Sequence, residues 1–161
     1  SLNDYIEISA GSLGHGLPIA VGLAHSIKLK NEKNRVFVLM GDGEMQEGSV
    51  WEAAMLAPKL GLNNLTVLID RNNLQGYGRA TELLHFYPIE EKWKSFGWES
   101  VTIDGHNEDD IAKACIISDR PKTIICDTTK GKGVSFMEDE LKWHYFLVQD
   151  EHRTKAMKEL E

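Results

Sequence analysis

Asp42 and Asn72 are the residues at which chemistry can first be read. Gly41-Asp42-Gly43 follows the apolar run Val36-Phe37-Val38-Leu39-Met40, and Asp70-Arg71-Asn72-Asn73 ends a second run, Leu65-Thr66-Val67-Leu68-Ile69. Short continuous apolar runs with β-branched residues and turn signals behind them predict strands buried on both faces of a parallel sheet. Open parallel sheets bind ligands beyond the carboxyl ends of their strands. If the two strands are neighbours, ~4.8 Å apart, a carboxylate and an amide oxygen from distant parts of the sequence converge on one small volume. Those are hard oxygen donors of the kind magnesium takes, with phosphate and water oxygens completing the shell. Gly43 lets the backbone come close to a phosphate, and the N-terminus of a following helix adds N–H donors and a positive dipole end. The spacing therefore predicts a metal-bridged diphosphate. Each motif alone is ordinary turn chemistry; their joint occurrence at the ends of consecutive strands carries the reading.

The elements that must position these residues follow an alternating pattern. Between the two strands, Val50, Ala54, Ala57, Trp51 and Leu60 recur at helical spacing, and Gly61 stands where a C-terminal glycine ends a helix. This is one βαβ unit with a right-handed crossover. Upstream, residues 14–30 place Leu17, Val21, Ala24 and Ile27 on one helical face. Downstream, residues 88–96 predict a short helix, 98–103 a strand, and 123–127 a further strand. Asn107 caps a helix running to Ile117, with Asp109 and Asp110 favoured by the dipole in its first turn. Residues 130–139 read as a Gly- and charge-rich loop and 150–161 as a terminal helix. The fold class is α/β: an open, mostly parallel sheet with helices on both faces.

Composition bounds the partners. The chain has 161 residues and a net charge of −7, which makes nucleic acid and anionic membrane surfaces poor partners. An anionic ligand needs backbone amides, a metal ion or a few cations in its favour. Cys115 and Cys126 fall in a helical and a strand pattern, so a disulfide scaffold is not expected and a reducing cytoplasmic location is. No apolar run is long enough to span a membrane. The sequence opens Ser1-Leu2-Asn3 without an initiator methionine, the mark of a processed chain or of part of a longer one.

Taken together, Gly41-Asp42-Gly43-Glu44-Met45-Gln46-Glu47-Gly48, Trp51-Glu52-Ala53-Ala54 and Asp70-Arg71-Asn72-Asn73-Leu74-Gln75 closely resemble transketolases. Gly11-Ser12-Leu13-Gly14-His15-Gly16, Asp104-Gly105-His106-Asn107, Lys130-Gly131-Lys132-Gly133-Val134 and Lys142-Trp143-His144 fall in the same family order, with His15 where glutamine is usual. The resemblance is to the diphosphate-binding domain, the amino-terminal subunit of split transketolases, and spans nearly the whole chain. It implies a single thiamine diphosphate-binding domain over residues 1–161, shortened at its N-terminus. It implies thiamine diphosphate and magnesium as cofactors, with Asp42, Asn72 and the Leu74 carbonyl as metal ligands. Gly43 and Glu44 would offer backbone amides to the diphosphate. Gly11 and Leu13 would lie against the cofactor rings, and His144 would reach the diphosphate and act as the catalytic residue toward substrate. Glu47 and Glu52 resemble acids that link two cofactor sites across a dimer, although acids in a first helical turn need no such reason.

The resemblance also implies partners. The carboxylic acid that activates the cofactor comes from a separate pyrimidine-binding, C-terminal subunit, so a dimer or heterotetramer is expected and the isolated chain is expected to be inactive. The reaction implied is transfer of a two-carbon ketol unit between sugars or related small-molecule carbonyl compounds. Two positions depart from the family. Gly76 stands where an apolar residue packs on the thiazolium ring, and Tyr145 stands where glycine follows Trp-His. They motivate an alternative, a non-catalytic cofactor-binding or assembly module. Other thiamine diphosphate enzymes, deoxyxylulose phosphate synthase or a 2-oxo acid dehydrogenase alpha chain, fit the Met45–Gly48 and Leu74-Gln75 segments less well.

Overall fold

A computed structural model describes residues 6–161; the opening Ser1, Leu2 and Asn3 lie outside them. In chain order it comprises α1 (Gly16–Leu29), β1 (Val36–Gly41), α2 (Gly48–Lys59), β2 (Leu65–Arg71), a small hairpin of β3 (Leu74–Gln75) and β4 (Gly78–Arg79), α3 (Ala80–Leu83), α4 (Ile89–Ser95), β5 (Glu99–Asp104), α5 (Glu108–Ala114), β6 (Lys122–Asp127) and α6 (Asp150–Leu160). Four strands form one sheet in the order β1-β2-β6-β5, and every pairing in it is parallel.

That order dictates where the helices lie. From β1 through β2 to β5 the chain moves across the sheet in one direction, and from β5 to β6 it steps back. Right-handed crossovers then put the connecting helices of the two legs on opposite faces. Accordingly Val38, Met40, Leu65, Val67, Ile69 and Ile125 share a core with Leu17, Val21 and Ala24 of α1, Val50, Ala54 and Ala57 of α2, and Ile89 and Trp93 of α4. The end of α5 lies on the other face, where Lys122 Nζ donates to the Ala114 and Ile116 carbonyls (3.1 and 2.8 Å) and Arg35 reaches the Cys115 carbonyl (2.6 Å).

Three sequence expectations change. β1 is an edge strand among the described residues, not a strand buried on both faces: Phe37 and Leu39 are 49% and 75% exposed. Its apolar run reads as doubly buried, but α5 covers the second face only beside β5 and β6. The residue 14–30 helix starts at Gly16, because Gly14 has φ +81° and cannot begin it. Finally α5 ends at Ala114, three residues early, and leaves Ile116 and Ile117 exposed. The remaining elements lie where the pattern puts them, within a residue or two. Gly61 has the positive φ (+62°) of a helix-ending glycine, and the Asn107 side chain accepts from the Asp109 and Asp110 N–H groups. No helix among the described residues is long and apolar enough to cross a membrane.

The tryptophans lock the core beneath the site. Trp93 and Trp98 are buried edge to face with ring centroids 4.8 Å apart, and Trp51 packs on Trp93 at 5.6 Å. Trp98 Nε1 donates to the Ala54 carbonyl at 2.7 Å, tying α2 to the start of β5. The bond satisfies a buried indole N–H and fixes the helix that follows the turn after Gly43.

Candidate functional site

Parallel register brings three strand ends level: Gly41 pairs with Asp70, and Asp70 with Cys126. Asp42, the residue after β1, is 1% exposed. Its backbone N–H donates to the Asp70 carbonyl (3.1 Å), and its Oδ2 accepts from the Asn73 N–H at 2.7 Å. Desolvation by burial pushes its carboxyl up to about 6, against backbone hydrogen bonds from Asn73 and Gly43 that pull it down. Among the described residues Asp42 has no ion-pair partner. A buried carboxylate without a counter-charge is costly, and a divalent cation would satisfy it.

The strand beside it supplies oxygen atoms already oriented. Asn72 Nδ2 donates to Asp70 Oδ2 (3.0 Å), which fixes the amide, and Asn72 Oδ1 accepts from the Leu74 N–H (2.9 Å) with a lone pair to spare. Thr128 Oγ1 holds the other Asp70 oxygen. Asn73 between them sits at φ +60°, a conformation asparagine tolerates better than most residues. Its side-chain oxygen accepts from Thr81 N–H and its carbonyl from Ala80 N–H, both at 3.0 Å. Asn73 thereby clamps β2, the β3–β4 hairpin and Asp42 together. Leu74 is buried in the hairpin, paired with Arg79.

Gly43 meets Gln75 of that hairpin. A Cβ built on Gly43 would lie 2.8 Å from Gln75 Cβ, so the approach requires glycine, and Gln75 Nε2 continues to Gln46 Oε1 at 3.1 Å. No α-helix starts at this point, contrary to the sequence expectation. A three-residue 3₁₀ turn, Glu44–Gln46, intervenes before α2. The Glu44 side chain is engaged elsewhere: its Oε1 accepts from Gly14 N–H (3.0 Å), and Ser49 Oγ donates to the Gly14 carbonyl (2.7 Å). These bonds seat the Gly11–Gly16 loop on the turn after Gly43. Gly11 and Leu13 are exposed on that loop, Leu13 by 53%.

His144 ends a second 3₁₀ turn, Leu141–His144, and is exposed. Its Nε2 lies 3.7 Å from where a Cβ on Gly76 would be, so it overlooks the hairpin beyond Leu74. The other histidines stay local. His15 Nδ1 faces the Ser12 and Leu13 carbonyls, while His106 Nε2 accepts from Thr129 N–H (2.8 Å) and links the loops after β5 and β6. Glu47 and Glu52 are exposed. Both cysteines are free thiols, and burial pushes Cys126 up to about 11, which keeps it inert.

The donor chemistry fits a magnesium–diphosphate group. Among the described residues no three His, Cys, Asp or Glu side chains cluster as a metal site. What the strand ends bring together instead is one buried carboxylate and, through the neighbouring backbone of Asn73 and Leu74, one fixed amide oxygen. Magnesium uses such a sparse protein set when phosphates supply further oxygens. The missed contributors are Asn73 and Gln75. Asn73 follows a strand in an Asn-Asn pair, a recognisable left-handed turn signal, whereas nothing in the sequence announces the Gly43–Gln75 contact.

Residues 2–160 match the family described as transketolase, thiamine diphosphate binding domain. The chain belongs to that transketolase family. Within it, the chain is 40% identical over 159 residues to an apulose-4-phosphate transketolase subunit of Phocaeicola vulgatus, covering 96% of this chain and 57% of that protein. It is 39% identical to 6-deoxy-6-sulfo-D-fructose transketolase subunit SqwG of a Clostridium species, covering 97% and 58%. Human transketolase is 38% identical over 143 residues, 87% of this chain and 23% of that one. The chain thus spans little more than half the length of the bacterial subunits it matches. Among solved structures, Campylobacter jejuni transketolase superposes with a TM-score of 0.88 at 31% identity, over 95% of this chain and 26% of that chain. Leishmania mexicana transketolase superposes at 0.75 and 23% identity, over 96% of this chain and 28% of that one, a likeness of fold.

Proposed function

We propose that the chain is the diphosphate-binding subunit of a transketolase-type transferase, moving a two-carbon ketol unit between small carbonyl compounds once joined to a pyrimidine-domain partner. The observation that carries this reading is the buried Asp42 carboxylate, unpaired by any cation among the described residues and held by Asn73 beside Asn72 and Leu74. Asp42, the Asn72 amide oxygen and the Leu74 carbonyl hold magnesium. The Glu44 amide, and the Gly43 amide once a bound metal replaces it at the Asp42 carboxylate, would take the diphosphate, which can come close because Gly43 has no side chain. Gly11 and Leu13 lie against the cofactor rings on a loop fastened by Glu44 and Ser49.

Thiamine diphosphate, when bound, supplies the carbon nucleophile and electron sink that two-carbon transfer needs. The chain supplies position and charge compensation. A bound magnesium would keep Asp42 ionised, with the buried Leu74 of the hairpin beside it. His144, the catalytic residue of this chain, would hydrogen-bond the diphosphate and the carbonyl substrate from its place beside Gly76. The activating acid belongs to the partner, in a dimer or heterotetramer in the cytoplasm, so the chain alone is inactive. The two bacterial relatives, each named as a transketolase subunit, support a divided enzyme.

The test is reconstitution. The chain mixed with a pyrimidine-domain subunit should transfer a ketol unit from a ketose donor only with thiamine diphosphate and magnesium present, and neither protein should do so alone. Full transfer by the chain without a partner, or transfer indifferent to magnesium chelation, contradicts the reading.

A further inference from the structure

Gly76 and Tyr145 face each other. A Cβ on Gly76 would collide with Tyr145 Oη, would stand 3.1 Å from Tyr145 Cζ, and would be 3.7 Å from His144 Nε2. The Tyr145 hydroxyl therefore occupies the space that a side chain at residue 76 would take. His144 and Tyr145 pack edge to face with centroids 4.9 Å apart, so the imidazole and the phenol arrive at this point together. Gly76 has no positive φ to demand glycine; what sits where its side chain would be is the hydroxyl end of Tyr145. It follows Leu74 and Gln75, the residues next to Asp42 and Gly43, so the phenol lies at the rim of the proposed cofactor site.

We propose that Tyr145 is a specificity-determining residue, its phenol entering over Gly76 to form the pocket wall at residue 76 and presenting a hydroxyl beside His144. This rests on the proposed cofactor site. The wall that would be apolar if residue 76 carried its own aliphatic side chain becomes one with a hydrogen-bonding oxygen. A site built to hydrogen-bond discriminates strongly against ligands lacking the matching group, so this wall selects a carbonyl substrate with a hydroxyl or carbonyl oxygen at that spot. Tyr145 is otherwise exposed (64%).

Exchange of the pair tests this in the assembled two-subunit protein. Thiamine diphosphate affinity with magnesium is read by calorimetry, and thermal midpoint is read on the same samples. Gly76→Ile alone should weaken cofactor binding roughly tenfold or more by overpacking. Tyr145→Gly alone should weaken it about fivefold by opening the wall. The double variant should return to within about threefold of the parent, because each change fills or vacates the other's space. Additive losses, or no loss in either single variant, overturn the pairing; the tyrosine would then swing freely. Tyr145→Phe should keep cofactor affinity within about twofold while kcat/KM for hydroxypyruvate, the ketol-donor probe, falls about tenfold. An unchanged kcat/KM overturns the hydroxyl's role. If the parent binds no thiamine diphosphate, the functional reading fails, and the thermal midpoints still decide the pair by the same pattern.

Discussion

The backbone N–H of Asn73 donates to Asp42 Oδ2 at 2.7 Å, joining the residue after β1 to the loop after its neighbour β2. One oxygen of the buried carboxylate is thereby positioned by the chain itself. Parallel register makes the meeting possible, since Gly41 and Asp70 are paired immediately before it. The preorganised geometry would lower the cost of ordering the loop around a bound metal.

Asp42 makes the site pH-sensitive in two opposite senses. Its ordinary value is 3.8, and burial raises it to about 6 in the folded chain. The folded state therefore binds more protons than the unfolded state between these values. Lowering pH from about 6 to about 4 favours the unloaded fold through this group. Magnesium needs the ionised carboxylate, so metal-linked stabilisation should fade as pH falls through about 6. Thermal unfolding with and without magnesium and thiamine diphosphate should show the two midpoints converging there. A gap that stays constant to about pH 5 would run against the assignment of Asp42.

Asn73 separates conformation from hydrogen bonding. Asn73→Ala keeps the N–H to Asp42 but puts an ordinary side chain at φ +60° and loses the Thr81 contact. The expected cost is ~1–3 kcal/mol. Asn73→Gly loses the same contact without the strain and should be milder by ~1 kcal/mol. Urea midpoints at constant m-value would report this. Equal costs would mean that the left-handed backbone is not under constraint.

Trp98 fastens α2, and through it the turn carrying Gly43. Trp98→Phe preserves much of the packing on Trp93 but abandons the bond to the Ala54 carbonyl. A loss of ~1–3 kcal/mol is expected, against ~3–5 kcal/mol for Trp98→Ala. Denaturant unfolding checks both, and indistinguishable variants would refute a role for the indole N–H.

Much of this was legible in the sequence because local rules and the global fold agree. Two apolar runs ending in Gly-Asp-Gly and Asp-Arg-Asn-Asn announced neighbouring strands whose ends meet, and Gly61 and Asn107 marked helix ends by their own backbone needs. What was not legible depends on neighbours. The run Val36–Met40 reads the same whether its second face is covered or, as at Phe37 and Leu39, open. The β3–β4 hairpin is too short to leave a period. Gly76 and Tyr145 stand out as separate oddities in the sequence, and their contact exists only once Leu141–His144 folds over the hairpin.

In the proposed site, Asp42 anchors a magnesium–thiamine diphosphate group. Calorimetric titration of thiamine diphosphate into the assembled two-subunit protein, with magnesium and then with its chelator, tests it most directly alongside Asp42→Asn. The account predicts saturable binding that requires magnesium and weakens at least about a hundredfold in Asp42→Asn, as expected for loss of a charged ligand. Equal affinity in the variant, or binding indifferent to the metal, would contradict it.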